Sequence, residues 1–256
     1  MSKWAVVTGA TAGIGESFTR ILAHEGFDIV LVARDLERMK DRAAHLESQF
    51  NVKTEIIQAD LATDDGCAKI EKYLRENQIE VLINNAGFGI NKAFSVSDID
   101  SEQQLLDVLV RTPMRLMHTV IPQMKERNSG AIINVSSVAG WIAGGTYSAS
   151  KSYLTVLSES LHTEMSGTGV KISALCPGFT RTEFHQRGRM RMNGLPEFMW
   201  LSADRVVLQA WKENQGGKVL SIPGWQYLIL STVCRFGPRP LVRKLGMNVR
   251  VRQRQK

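Results

Sequence analysis

The sequence predicts an α/β fold, a single doubly wound parallel sheet with helices on both faces. Three observations carry this expectation. Short apolar runs rich in Val and Ile recur along the chain, stretches of helical length separate them, and a glycine-rich turn follows the first run. Strands covered on both faces read as continuous apolar runs, and strands alternating with helices imply parallel crossover units. With 256 residues, 43% of them hydrophobic and 22% charged, the chain suits one large core and excludes disorder as a whole-chain state.

Taken in order, Ala5-Val6-Val7 is the first strand, and the glycine turn after it opens a helix over Ile14–Glu25. Ile29–Val32 is the second strand, β-branched and fully apolar, followed by a helix over Asp35–Phe50. Lys53–Gln58, Val81–Ile83, Ile132–Val135, Lys171–Leu175 and Lys218–Ile222 repeat the strand signal. Helices are predicted over Asp64–Asn77, Ser101–Lys125, Tyr147–Met165 and Ser202–Glu213. Ser101 and Gln104 have the spacing of a capping box at the start of the long helix. Residues 1–224 read as one dinucleotide-binding catalytic domain, and 225–256 as a separate apolar, then basic, segment. The stretch Gln186–Pro196, which includes Met190 and Met192, breaks the alternation and has two readings, a mobile loop over a site or a plain surface connection.

The cysteines Cys67, Cys176 and Cys234 are odd in number and far apart, forming neither a disulfide framework nor a zinc spacing. The five histidines share no ligand spacing, so no metal is expected. The first apolar stretch is too short for a signal peptide, and no run approaches the ~20 apolar residues of a membrane span. A soluble, cytoplasmic protein is the expectation. The net charge of +7 is concentrated in the tail: nine Lys or Arg and no Asp or Glu lie beyond Glu213. The tail lacks the interleaved aromatics of a nucleic-acid module, and no nucleic-acid partner is expected.

The turn Thr8-Gly9-Ala10-Thr11-Ala12-Gly13-Ile14-Gly15 joins the first strand to the first helix. Phosphate binding there needs backbone N–H groups with no side chain in the way, and a helix N-terminus supplies donors and dipole together. Gly9 would permit the tight turn, Gly13 a close backbone approach, and Gly15 the packing of helix on sheet. The second strand ends Ala33-Arg34, with Asp35 next. An arginine there suits a ribose 2′-phosphate, whereas a carboxylate would suit a free 2′-OH, so NADP is the expected cofactor.

Tyr147 and Lys151 stand one helical turn apart and project from one face. A tyrosine with its ordinary pKa of ~10 is a poor acid–base group near neutrality, and a nearby ammonium is expected to lower it. The fifth strand delivers Ser136 and Ser137 at its C-terminal end, where open sheets bind ligands, and Asn84-Asn85-Ala86-Gly87 ends the fourth strand at the same edge. A serine hydroxyl there can hold a substrate oxygen while Tyr147 gives or takes its proton.

With these motifs in this order, the chain resembles the short-chain dehydrogenase/reductase family over roughly residues 3–224. The resemblance implies a Rossmann fold and a cofactor loop at Gly9, Thr11, Ala12, Gly13, Ile14 and Gly15. It further implies an adenine-flanking pair at Asp60 and Leu61, contacts from Asn85, Ala86 and Gly87, and a nicotinamide-side loop at Pro177, Gly178, Thr180 and Thr182. Ser137, Tyr147 and Lys151 match the catalytic set. Ser137 is chosen over Ser136 because it lies three residues beyond Asn134, as the family's serine does. Hydride transfer between nicotinamide and a lipophilic carbonyl or alcohol, 3-oxoacyl or a related ketone, is the implied reaction, in a homodimer or homotetramer. Two departures stand out. The interval from Ser137 to Tyr147 is a few residues shorter than the family commonly shows. Leu109 occupies the place of the family's catalytic asparagine, which puts the water-linked proton path from Lys151 in doubt and opens a rival reading, a catalytically weakened nucleotide-binding regulatory protein.

The tail segment from Trp225 to Phe236 is apolar and is followed by arginines. It has three readings: a membrane-surface contact that would make the protein membrane-peripheral, a cover over the substrate pocket, or a subunit interface.

Overall fold

The parallel strands form because their Val- and Ile-rich runs can be buried on both faces. The structure is a computed structural model, and residues 3–188 and 195–244 are described. In chain order the elements are β1 (Trp4–Thr8), α1 (Gly13–His24), β2 (Asp28–Ala33), α2 (Leu36–Phe50), β3 (Thr54–Gln58), α3 (Asp64–Glu76) and β4 (Ile79–Asn84). Then come α4 (Ile99–Leu106), α5 (Thr112–Glu126), β5 (Gly130–Val135), α6 (Thr146–Glu164) and β6 (Val170–Leu175). The chain continues through β7 (Thr180–Arg181), α7 (Phe184–Arg187), β8 (Leu201–Ser202), α8 (Ala203–Gln215), β9 (Leu220–Ser221) and α9 (Trp225–Phe236). Seven strands lie in the order β3-β2-β1-β4-β5-β6-β9, all parallel, and β7 pairs with β8 in a separate two-stranded piece. The chain thus forms the doubly wound sheet with helices on both faces. One core layer gathers Val6, Val30, Leu82 and Ile132 beneath α3, α5 and α6, and the other gathers Val7, Leu31, Ile83 and Ile133 beneath α1, α2 and α8. Strand order reverses between β1 and β4, which places the crevice for a ligand at their C-terminal ends.

Two features depart from the expected elements. The helix expected over Ser101–Lys125 starts earlier and is interrupted. Asp98, not Ser101, caps it, accepting from the Ser101 N–H at 3.0 Å. Its interior is a π turn over Asp107–Arg111, in which the Thr112 N–H reaches back to the Asp107 carbonyl. The cause is local: Pro113 has no N–H to return to the Leu109 carbonyl, so regular α pairing fails there. The last sheet strand is also shorter than expected, because only Leu220 and Ser221 pair with β6.

Candidate active site

The glycine turn is built by contacts that only a missing side chain allows. Gly9 has φ +67°, and a Cβ on Gly15 would lie 2.2 Å from the Gly9 carbonyl oxygen and 2.4 Å from Asn85 Nδ2. Asn85 clasps the turn, donating from Nδ2 to the carbonyls of Thr8 and Gly9 at 2.8 and 3.2 Å. Thr8 Oγ1 accepts from the Asn85 and Ala86 N–H groups at 2.9 and 3.0 Å. The side chain of Asn85 therefore serves the turn rather than the open crevice. Helix α1 begins at Gly13 behind its N-cap Ala12, whose side chain makes no capping hydrogen bond, so the cap leaves the first N–H groups without a side-chain acceptor. An uncapped helix start behind a glycine turn fits a dinucleotide phosphate. Gly13 departs from the expected reason for its glycine: its missing Cβ makes room for Thr182, whose Cβ would lie 2.8 Å away.

Arg34 is exposed just beyond the end of β2. Asp35 is turned away to cap α2, accepting from the Arg38 N–H at 3.1 Å. Arg38 forks onto Glu183 at 3.1 and 2.7 Å, which ties the start of α2 to the strap after β7. Asp60 accepts from the Ala62 N–H at 3.0 Å, while Leu61 is buried and its carbonyl accepts from Thr112 at 2.8 Å.

The two serines after β5 part company. Ser136 is buried, with its hydroxyl on the Lys151 carbonyl and on Thr155 Oγ1, both at 2.7 Å. Ser137 faces the site: its Oγ accepts from the Ala139 N–H at 3.1 Å and lies within hydrogen-bonding reach of Tyr147. Phe184 stands beside the tyrosine ring at 5.9 Å between centroids. Burial pushes the Tyr147 phenol up to about 12, and the Ser137 hydrogen bond offsets only part of that. The expected lowering of Tyr147 by Lys151 is thus overturned. Lys151 Nζ sits 5.7 Å from the ring centroid and donates to the Val135 carbonyl at 2.6 Å, and burial pulls the ammonium itself down to about 8. Desolvation outweighs the pair's mutual influence.

Leu109 is 1% exposed, and its Cδ2 comes within 2.8 Å of where a Cβ on Gly87 would stand. Beside it lies a cavity of about 10 Å³ lined by Thr8, Asn84, Leu109, Val135 and Lys151 among others. That is about the room one water needs.

In the loop after β6, Pro177 is buried and its carbonyl accepts from the Val138 N–H at 3.1 Å. The Tyr227 ring covers Gly178, and its hydroxyl accepts from the Phe179 N–H at 3.0 Å. Thr180 Oγ1 donates to the Gly178 carbonyl at 3.1 Å. The structure therefore gathers Ser137, Tyr147, Lys151, the glycine turn, Asn85–Gly87 and the Pro177–Thr182 loop along one edge of the sheet. Met190 and Met192 lie outside the described residues. Two contributors escaped the sequence reading, Glu183 and Phe184, while Tyr227 lies in the tail segment for which a cover over the pocket is one reading.

The model of the short chain dehydrogenase family matches residues 3–193. The chain belongs to that family. It is 30% identical to the very-long-chain 3-oxoacyl-CoA reductase-A of Danio rerio, over 99% of this chain and 80% of that protein. Among solved structures, a short-chain dehydrogenase from Sphingobium yanoikuyae in complex with NADPH superposes with TM-score 0.83 and 31% identity, covering 99% of this chain and 98% of that one. The bulky-bulky ketone specific alcohol dehydrogenase from Comamonas testosteroni gives TM-score 0.79 and 30% identity over 90% and 92% of the two chains. This short-chain dehydrogenase is an oxidoreductase that binds a nicotinamide cofactor and a small-molecule substrate.

Proposed function

We propose that this chain is an NADPH-dependent reductase of lipophilic carbonyl compounds, of the 3-oxoacyl or related ketone class. The observation that carries the reading is the convergence of Ser137, Tyr147 and Lys151 at the end of β5, beside an uncapped helix start suited to a dinucleotide. NADPH is favoured because Arg34 is exposed where a 2′-phosphate would lie, while the carboxylate of Asp35 is engaged as a helix cap. Relatives named for 3-oxoacyl-CoA and bulky ketones support the substrate class.

A reduced nicotinamide, when bound, would supply the hydride for the carbonyl carbon. Residues of the glycine turn, Arg34, Asp60, Leu61, Asn85–Gly87 and the Pro177–Thr182 loop would hold the cofactor. Ser137 Oγ orients the substrate oxygen, and Tyr147 Oη donates the proton that completes the alcohol. Lys151, with its pKa near neutrality, is suited to return a proton to the phenolate. Exposed Met114, Tyr153 and Val156 on α5 and α6 offer an apolar surface for the homodimer or homotetramer.

Initial rates with NADPH and NADH on a 3-oxoacyl thioester test the reading. NADPH should be preferred, Arg34→Asp should erase the preference, and Tyr147→Phe should lower kcat by roughly a hundred-fold or more with cofactor affinity kept. A Tyr147→Phe enzyme with most of its kcat removes that residue from the chemistry. Cofactor binding with no turnover on any carbonyl would favour the regulatory reading raised by Leu109.

A further inference from the structure

An amphipathic helix packed on its own protein ordinarily turns its apolar stripe inward. Helix α9 does the reverse. Facing the body are Tyr227, Ser231 and Cys234, each at most 2% exposed. Facing out are Trp225, Leu228, Ile229, Val233 and Phe236, exposed by 69, 53, 57, 56 and 81%. These positions follow the helical period and form one stripe along the full length of α9. Phe198, 61% exposed, adjoins the start of the helix, since its carbonyl accepts from Gln226 at 2.9 Å. Leu241, 64% exposed, lies in the helical residues 239–244 that follow. A continuous apolar surface of this kind marks an interaction site.

The charges beside it select the occupant. Arg239, Arg243 and Lys244 follow the stripe and are exposed, and the sequence carries no Asp or Glu after Glu213. Arg235 leans back onto the Trp141 ring at 5.6 Å and onto Glu159 at 3.8 Å. A two-fold contact of this face with a second copy would set cations against cations, with no acid from the segment to pair them. An anionic lipid surface complements both features: the acyl boundary accepts Trp, Leu, Ile, Val and Phe, and the headgroups accept the guanidinium and ammonium groups.

We propose that α9 docks this chain onto anionic membrane surfaces, lying in the interface plane with its outer stripe immersed. Among the described residues no helix is long and apolar enough to cross a membrane, so the contact is with the surface. The same helix packs on two loops that border the site: Tyr227 covers Gly178, and Arg235 rests on Trp141, which follows Ser137 in the chain. Docking therefore brings the substrate side of the site to the lipid, and a lipophilic carbonyl substrate reaches it from the membrane. That last step rests on the proposed reaction; the docking does not.

The test is flotation of the full chain with vesicles of phosphatidylcholine alone or mixed with phosphatidylserine. Binding is expected to the mixed vesicles at low salt, with release at high salt. Leu228→Gln/Ile229→Gln/Val233→Gln, all at exposed positions, should abolish it while thermal stability and NADPH binding persist. Arg239→Gln with Arg243→Gln should weaken it by roughly thirty-fold, about five-fold for each cation. An unmodified chain that floats no better than the triple variant overturns the proposal. So does a triple variant whose only change is a smaller mass by light scattering, which would make the stripe a subunit interface. Flotation without carbonyl reduction would keep the docking and remove the reductase reading.

Discussion

Replacing Lys151 by Met should make the cofactor-free protein more stable near neutral pH while destroying its activity. Lys151 is 4% exposed, and burial lowers its pKa from 10.5 to about 8. At about 1.4 kcal/mol per unit this amounts to roughly 3 kcal/mol spent on keeping the amine charged in the folded state. Methionine has nearly the same length and carries no charge, but it forfeits the 2.6 Å hydrogen bond to the Val135 carbonyl, a loss of about 1 kcal/mol. The net gain is about 2 kcal/mol, a rise in Tm of roughly 4–8 °C for a chain of this size. The pH dependence has a definite sign. Between pH 8 and 10.5 Lys151 binds more protons in the unfolded chain than in the folded one, so its own contribution to stability rises with pH across that window. The advantage of Met should therefore be full below pH 8, shrink above it, and reverse to about 1 kcal/mol against Met by pH 10.5, where only the lost hydrogen bond remains. Urea melts of both proteins at pH 7 and pH 10.5 measure this difference directly. A Met variant that is less stable at pH 7, or a difference that does not move with pH, would refute the reasoning.

Gly15→Ala should cost about 1–3 kcal/mol and reduce cofactor affinity at least roughly ten-fold, because its Cβ meets backbone that cannot yield. Gly216→Ala, whose Cβ meets only ordinary contacts at 3.5 Å, is the control in the same calorimetric titration. Leu109→Asn should raise kcat up to roughly ten-fold with KM little changed and a smaller solvent isotope effect, since an amide can hold water in the cavity beside Lys151 where leucine cannot. An unchanged or lower kcat with an unchanged isotope effect decides against the missing relay. For carbonyl reduction, kcat should stay level up to about pH 8 and fall above it as Lys151 discharges, with Tyr147 protonated throughout. A rate that climbs between pH 8 and 10 would mark a different proton donor.

The fold was legible because its signals are local. Val-rich runs, the glycine turn and the helical spacing of Tyr147 and Lys151 each lie within a few residues of one another. Of the two serines after β5, Ser136 is engaged by the Lys151 carbonyl and Thr155, which is why Ser137 is the one proposed to meet the substrate. What stayed hidden depends on contacts between distant segments. That Asn85 clasps the glycine turn, that Thr182 fills the space at Gly13, and that Tyr227 roofs Gly178 follow only once β4, the strap after β7 and α9 meet at one edge. The pKa values were hidden for the same reason. Spacing suggested an ammonium acting on a phenol, while the folded environment desolvates both. The interruption at Asp107–Arg111 was partly visible as Pro113, but a periodicity reading carries a helix across a single proline when the apolar pattern continues.

The same desolvation bears on whether Leu109 marks a chain that has given up chemistry. A protein that only bound a nucleotide would have little use for an amine held in its core at a loss of a few kcal/mol. Every structural duty of Lys151 apart from one hydrogen bond to Val135 could be met by an apolar side chain. Yet the surrounding structure is arranged to hold that amine in place. Ser136 binds its carbonyl, Val135 accepts from its Nζ, and so the end of β5 and helix α6 grip each other around it. One turn earlier, Tyr147 keeps its proton to strongly alkaline pH and sits within reach of Ser137. A stable phenol is a poor base but a serviceable donor, which is what carbonyl reduction asks of it. Destabilising charge, a protonated donor and an orienting hydroxyl in one desolvated pocket make sense together as catalytic machinery. Against them, Leu109 removes one polar group from the far side of a cavity that still has room for about one water, so it bears on how fast a proton returns rather than on whether the reaction can occur.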